Sequence, residues 1–524
     1  MKSKICLFVL ALALWCWSGA YAQQRYLDEV FTDVNITYDV KYAENYSVLT
    51  GTPTLVDLLM DVYEPVGDTM GNPYYEEKRP LIILTHAGSF LPKDAFLPFG
   101  AKDDSALIEM CTQFAKRGWV AVSMNYRIGW NPLGDEITRK STIINAVYRA
   151  MQDLKACVRY FRKDAATTNT FRIDPYRVAV GGSNSGGYVS LALGALNKPS
   201  ELTLLKFLNP STGKSVIDTL VTGGFDGEGG CIGINAPLNN PGYSSKVQVI
   251  LNLGGAIGDT TWQEPGEPPI VSLHGMADPL TPYRTAVVIV SATGNPVVEV
   301  SGSHDLTRYA VALGNHQVFY DLNLSDPYTD TARARSPYEG LLGFPGQLNG
   351  YEPWAWYDSS LTKIIDDDNP SSTFPPPYSG YGSAANPYAT REKAERYIDT
   401  IMNYFAPRAL GAFAMVDSAA VETPDRDDPP VNCSSGIYNS YLSQAVVDVY
   451  PVPALDEFKV QVLTGRFDIR NIKMLDATGK VIRNIQVDST TVVTVKRNGL
   501  DAGVYFLTVT LENGSTVTRR IIFE

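Results

Sequence analysis

Hydrophobic and polar residues follow two alternating patterns along most of this chain. Between residues 30 and 65 apolar and polar side chains alternate, which predicts antiparallel strands. Further on, short apolar runs alternate with longer segments of helical spacing. This alternation predicts an α/β domain whose mainly parallel sheet is flanked by helices on both faces. The apolar runs lie at 81–85, 119–125, 177–180, 247–253 and 269–273, and the helical segments at 105–117, 143–163 and 391–404.

The last part of the chain has a different pattern. Residues 420–445 are rich in Pro, Asp and Ser without periodicity and predict a linker. Beyond the linker, short strands separated by Gly-containing turns predict a small all-β sandwich at 446–524. The α/β domain is therefore predicted to span 23–419. The predicted C-terminal strands lie at 458–463, 472–475, 491–495 and 504–510.

The first 22 residues predict a signal peptide. Lys2 and Lys4 precede an apolar run at 5–17, and Ala-Tyr-Ala at 20–22 has the small–x–small cleavage pattern. The run is shorter than the roughly 20 residues that a membrane-spanning helix needs. No later segment predicts a transmembrane span, so the sequence predicts an exported protein.

Composition and cysteines narrow the possible partners. The net charge of −12, without basic blocks, argues against nucleic acid as a partner. The two N-terminal cysteines leave with the signal peptide. Cys111 and Cys157 lie in apolar helical stretches, which predicts buried free thiols. Cys231 and Cys433 lie in Gly- or Ser-rich loops and either pair as a disulfide or stay free. No Cys or His spacing indicates a metal site, and no cofactor is expected.

The C-terminal segment resembles the sorting domain of type IX secretion cargo, which Gram-negative bacteria export across the outer membrane. The resemblance covers about the last 75 residues and departs from the family at Val452, where Asn is usual. It implies contact with the type IX machinery and a secreted or cell-surface location. The matching stretches are VYPVPA at 449–454, LDATGK at 475–480, LDAGVY at 500–505 and TRRIIF at 518–523.

Residues 55–410 resemble the carboxylesterase and lipase branch of the α/β-hydrolases. The motifs occur in the family's order and spacing, which implies that fold. The family's chemistry uses a Ser on a sharp strand-to-helix turn, a His that removes its proton, an acid that orients the His, and an oxyanion hole. The matching stretches are MDVYEP at 60–65, RPLIILTHAGSF at 79–90, AKRGWVAVSMNYR at 115–127, IDPYRVAVGG at 173–182, SNSGG at 183–187 and LHGMAD at 273–278.

The chain departs from this family at the nucleophile position. The Gly-x-Ser-x-Gly turn becomes Gly-Ser-Asn-Ser-Gly at 182–186, in the same register from the strand before it and from the glycines after it. Asn184 therefore holds the nucleophile position, between Ser183 and Ser185. A carboxamide has no hydroxyl to deprotonate, so acyl-enzyme chemistry is not expected there. Asn does tolerate the positive-φ backbone of such a turn.

The resemblance also assigns an oxyanion loop. His86, Ala87, Gly88 and Ser89 stand in place of the family's His-Gly-Gly-Gly. The backbone N–H groups of Gly88 and Ser89 would hold an oxyanion together with that of Ser185. His86 is expected to brace the loop. Ala87 and Ser89 replace glycines, which would limit how closely the loop approaches an oxyanion.

The remaining triad positions are an acid and a histidine. Asp278 stands at the acid position, and His274 beside it is expected to be structural. The triad His would have to follow Asp278, where only His304 and His316 occur. The family's His follows a strand, and the strand predicted at 317–320 is followed by a loop without His.

The sequence thus lacks two of three triad members, which favours a pseudo-esterase. Such a protein would bind a small ester, a carboxylate or a carbohydrate in its pocket without turnover. An active ester hydrolase that uses Ser183 or Ser185 with His316 is the alternative. A purely structural role at the cell surface is the third hypothesis.

Overall fold

The larger folded part is built around one eight-stranded sheet with a small three-stranded sheet beside it. The computed structural model describes residues 23–49, 53–93, 99–227, 239–290, 293–345, 352–356, 390–414, 447–450, 454–462, 468–476, 480–512, 514 and 516–523. The strands of this part are β1 (Val34–Ser47), β2 (Thr54–Pro65), β3 (Arg79–Thr85), β4 (Val120–Met124), β5 (Ile173–Ser183), β6 (Val249–Leu253), β7 (Ala256–Ile257), β8 (Ile270–Gly275), β9 (Thr285–Ile289), β10 (Pro296–Gly302) and β11 (Leu341–Phe344).

The large sheet has the order β1-β2-β4-β3-β5-β6-β8-β11. Strands β1, β2 and β4 pair antiparallel, and every other neighbouring pair is parallel. The carboxyl ends of the parallel strands therefore meet at one edge, where ligands bind in open α/β sheets. We call this edge the carboxyl edge. Strands β7, β10 and β9 form the small antiparallel sheet.

Helices cover both faces of the large sheet. Leu81 and Ile83 of β3 belong to one apolar core, whereas Ile82 and Leu84 belong to the other. This alternation follows from the two-residue repeat of a strand and explains why β3 carries apolar residues on both of its faces. The helices are α1 (Ser105–Lys116), α2 (Glu136–Ala166), α3 (Ser185–Ala195), α4 (Thr219–Thr222), α5 (Ser303–Ala312), α6 (Gln317–Asp321), α7 (Pro327–Arg335) and α8 (Arg391–Ala414), with 3₁₀ turns at Pro199–Thr203, Leu205–Phe207 and Thr260–Trp262.

The predicted α/β class and its mainly parallel sheet are confirmed. One strand prediction was wrong: residues 317–320 lie in the short helix α6, and the last strand of the sheet is β11. A segment as short as Gln-Val-Phe-Tyr fits a strand and a helical turn equally well, so its pattern alone does not distinguish them. The loop that follows the last strand is therefore the one after β11.

The C-terminal part forms two antiparallel sheets around a core of its own. Strands β12, β13 and β16 form one sheet, and β15, β14, β17 and β18 form the other. Phe458, Ile472, Leu507 and Phe523 are all buried in the shared core. The strands are β12 (Val447–Tyr450), β13 (Glu457–Val462), β14 (Ile469–Leu475), β15 (Val481–Thr490), β16 (Val492–Lys496), β17 (Gly503–Leu511) and β18 (Thr516–Phe523).

Several sequence predictions concern export and cysteines. Cys111 and Cys157 are buried free thiols, as predicted. The predicted signal peptide, the linker, Cys231 and Cys433 lie outside the described residues. None of the helices in the described part combines the length and the apolar character that a membrane crossing takes.

Candidate functional site

The sharp turn between β5 and α3 places Asn184 at the carboxyl edge. Its backbone has φ 48° and ψ −110°, and its N–H donates to the carbonyl of Leu253 at 2.8 Å. Gly182 and Gly186 flank the turn, and a Cβ on Gly186 would overlap the carbonyl oxygens of Thr85 and His86. The turn therefore needs glycines on both sides and a residue that accepts positive φ at its apex.

The carboxamide of Asn184 is buried and incompletely bonded. The residue is 7% exposed, and its Nδ2 has no hydrogen-bond partner among the residues that the structure describes. A buried donor left unpaired costs about 1–3 kcal/mol. The fold therefore holds an amide donor at the nucleophile position without satisfying it.

Ser183 is held by two residues that sequence reasoning missed. Its hydroxyl donates to Oε1 of Glu352 at 2.6 Å and accepts from Nε1 of Trp354 at 2.8 Å. Both partners come from the loop after β11, which is where the family places its triad His. Glu352 therefore occupies the region expected for that His. The sequence would have indicated Glu352 only if β11 had been predicted as the last strand of the sheet.

Glu352 is a buried acid at the carboxyl edge. The residue is 3% exposed. Burial raises the pKa of its carboxyl to about 8, the hydrogen bond from Ser183 opposes this, and the nearby charges of Asp104 and Asp278 add to it. The carboxyl is consequently mostly protonated at neutral pH and is a poor proton acceptor there.

Ser185 closes the oxyanion loop instead of completing a triad. The backbone N–H of Ser89 donates to Ser185 Oγ at 3.1 Å, and the hydroxyl of Tyr126 lies 3.3 Å from the same oxygen. Gly88 has φ 105°, and a Cβ there would lie 2.6 Å from Cα of Gly100. One of the expected oxyanion donors is therefore already bonded to a side chain.

His86 and Ala87 brace this loop. Nδ1 of His86 is 2.6 Å from the Ala87 carbonyl oxygen, and its ring stacks on Tyr126 with centroids 4.2 Å apart. Burial lowers the pKa of His86 to about 4. Both contacts of the His86 ring are therefore made within the loop and with Tyr126.

Asp278 lies just beyond β8 at the same edge. Its Oδ1 accepts the N–H groups of Leu280 at 2.7 Å and Thr281 at 3.0 Å. His274 is 3.5 Å away, but its ring nitrogens contact Ser303 Oγ at 2.7 Å and the Thr281 carbonyl at 3.1 Å. His274 thus holds the strand end together and leaves Asp278 without a triad histidine.

The structure does not bring His316 to either serine. Its Nε2 accepts the N–H of Ile270 at 3.1 Å, and its Nδ1 contacts the Glu339 carbonyl at 2.8 Å. Ile270 begins β8, so His316 lies at the opposite edge of the sheet from Ser183. Burial lowers its pKa to about 4. In this structure His316 is therefore engaged at the other end of β8 and does not contact Ser183 or Ser185.

His304 forms a partly buried pair with Asp305. Its Nδ1 lies 2.8 Å from Oδ1 of Asp305 and 3.1 Å from a guanidinium nitrogen of Arg284. The chain has four histidines, and the structure describes all of them. None of the four forms a hydrogen bond with Ser183, Asn184 or Ser185. Among the described residues no group of three or more His, Cys, Asp or Glu is arranged to hold a metal ion.

Two segments of the chain match known protein families. Residues 60–222 match the family described as BD-FAE, and residues 448–524 match the secretion system C-terminal sorting domain. The chain therefore combines an esterase-like α/β-hydrolase domain with a type IX sorting domain, and the latter directs it to the cell surface or the medium. No curated protein matches the chain.

The solved structures that the chain is similar to include esterases. Esterase 2 of Thermogutta terrifontis, phosphoramylated by tabun, is 15% identical over 65% of this chain and 95% of that chain, with a TM-score of 0.33. The thermophilic esterase Est2 of the same planctomycete with propionate bound is also 15% identical, over 61% and 91% of the two chains, with a TM-score of 0.32.

Proposed function

We propose that the esterase-like domain is an exported binding site that does not hydrolyse esters through a serine. The observation that carries this proposal is Asn184 at the apex of the turn, with φ 48° and a carboxamide in place of a hydroxyl. An amide has no proton whose removal would create a nucleophile. The site is thus suited to holding a small ester, carboxylate or carbohydrate without forming an acyl-enzyme.

The surroundings of Asn184 support the same proposal. Ser183 is bonded to Glu352, whose pKa is raised to about 8 by burial, so at neutral pH the neighbouring acid does not serve as its base. Ser185 is bonded to the N–H of Ser89. Each serine beside the apex therefore has a structural partner in place of a catalytic one.

The experiment supplies the two missing groups together. Asn184→Ser provides the hydroxyl, and Glu352→His provides an imidazole in the loop where the family carries its histidine. We expect neither single variant to hydrolyse a short-chain aryl ester. We expect the double variant to exceed both by about 100-fold, the size of a general-base contribution.

A matched control tests whether the new histidine has to lie beside residue 184. Asn184→Ser combined with Glu77→His adds an imidazole at an exposed position outside the site, and we expect it to stay inactive. Melting temperatures check that each variant is folded. Fluorophosphonate labelling of the wild type at Ser183 or Ser185, or hydrolysis at pH 7 or pH 9 that is lost in Ser183→Ala, would overturn the proposal.

A further inference from the structure

We infer that the site around Asn184 takes a neutral, hydroxyl-rich molecule such as a sugar or another polyol, in preference to a carboxylate or an ester. The inference rests on the proposed function. A ligand that is bound without turnover has to form hydrogen bonds with the polar groups that the site presents in this structure. Three properties of that site carry it: an unpaired donor, an acceptor beside it, and the negative charge of that acceptor.

The donor is the amide of Asn184. Its Nδ2 is buried without a hydrogen-bond partner in the described part of the chain, on a residue that is 93% buried at the apex of the turn. Because an unpaired buried N–H is unfavourable, a ligand atom that accepts from Nδ2 gains more than the same contact would give at the surface. The ligand therefore has to present an oxygen lone pair.

The acceptor is Oδ2 of Asp278. Oδ1 of this carboxylate is used by two backbone N–H groups, whereas Oδ2 receives no hydrogen bond from the residues that the structure describes; His274 Nε2 is 3.5 Å away and contacts the Thr281 carbonyl instead. An ionised carboxylate only accepts hydrogen bonds. The ligand therefore has to present a donor as well.

The donor and the acceptor belong to one site. The backbone N–H of Asn184 donates to Leu253, and a Cβ on the next residue, Gly254, would lie 3.9 Å from Oδ2 of Asp278 and 3.7 Å from the ring of Trp354. Trp354 in turn donates to Ser183, the neighbour of Asn184. A hydroxyl group both accepts and donates, so a polyol can pair with both groups, whereas an ester or a carboxylate can only accept.

The charge of the site argues against an anionic ligand. The nearby charges of Asp104 and Asp278 raise the pKa of the Glu352 carboxyl, which places both carboxylates close to the site. The ammonium of Lys93 is engaged with Asp103 at 2.6 Å and Asp104 at 3.6 Å. A carboxylate ligand would enter beside the carboxylate of Asp278 and leave it unpaired, which is unfavourable in a buried site.

The test uses the full chain and matched pairs of probes. The methyl glycosides of glucose and galactose are titrated by calorimetry alongside those of glucuronate and galacturonate, which differ by one carboxylate. We expect at least one neutral glycoside to bind, and its acidic counterpart to bind at least tenfold more weakly. We also expect Asn184→Gly, which removes the amide and keeps the positive φ, to weaken binding at least tenfold.

Asn323→Gly is the matched control, because Asn323 is exposed and also has positive φ, at 44°. We expect it to bind like the wild type. The inference is overturned if neither neutral glycoside binds, if the acidic glycosides bind as tightly, or if Asn184→Gly has no effect. The proposed function fails separately, through serine-dependent hydrolysis by the wild type, which the aryl ester assay measures without any sugar.

Discussion

At the scale of single residues, Glu352 links the site to the stability of the fold. Its carboxyl has an ordinary pKa of 4.5 and a folded-state pKa of about 8, raised mainly by burial and further by Asp104 and Asp278. Between these two values the folded chain keeps a proton that the unfolded chain has released. Stability contributed by this group is therefore lost as the pH rises through that window.

We predict that Glu352→Gln removes this part of the pH dependence. The neutral amide resembles the protonated acid, so the variant should lose less stability than the wild type between pH 5 and pH 8, by about 3 kcal/mol. Guanidinium unfolding at both pH values measures the difference. Glu77→Gln, at an exposed position, should behave like the wild type; equal slopes for the wild type and Glu352→Gln would contradict the prediction.

The sequence allowed the position of some site residues to be predicted and not that of others. The position of Asn184 was predictable because the strand before it and the two glycines after it give the same alignment to the family's turn motif. Glu352 was not, because its place depends on β11, a four-residue strand that follows three short helices. Nor does a Glu before a Pro in an aromatic loop carry a pattern of its own. Contacts between distant segments, such as the hydrogen bond from Ser183 to Glu352, leave no local periodicity.

At the scale of elements, the turn between β5 and α3 depends on close packing. Gly186 has an ordinary helical backbone, but a Cβ there would overlap carbonyl oxygens at the end of β3. Gly242 is the opposite case, with φ 82° and open space around it. An Ala substitution at Gly186 therefore measures the cost of atomic overlap, and one at Gly242 measures the cost of a positive φ.

We predict that Gly186→Ala destabilises the domain by about 2–3 kcal/mol, through overpacking against backbone atoms that have little room to move. Gly242→Ala should cost about 1 kcal/mol, from the positive φ alone. Chemical unfolding of both variants against the wild type measures the two losses. A smaller loss in Gly186→Ala than in Gly242→Ala would refute the packing argument.

The long elements were predictable and the short ones were not. Strands β3, β4, β6 and β8 and the second half of β5 contain short apolar runs because both of their faces are buried. Helix α2 was recognisable from its apolar stripe. The short helix α6 and strand β11 are positioned by tertiary packing, which overrides what a few residues prefer by themselves.

At the scale of the whole molecule, export depends on the C-terminal sorting domain. Phe523 is buried in its core and contacts the rings of Phe458 and Tyr505 at centroid distances of 5.7 and 5.8 Å. We predict that Phe523→Ala, which leaves a cavity costing about 3–5 kcal/mol, reduces the amount of protein at the cell surface or in the medium. Immunoblots of cell fractions measure this. Val504→Ala, at an exposed position, should be exported normally; unchanged export of Phe523→Ala would contradict the prediction.

The position of β18 in its sheet has a consequence for biosynthesis. This strand pairs along its length with β17, and the N–H of Ala454 donates to the carbonyl of Ile522. The sandwich consequently stays open while the ribosome is still translating codons before 523. A polypeptide released before that point would carry an incomplete sorting domain. The secretion apparatus would therefore export only molecules whose upstream domain had already been synthesised in full.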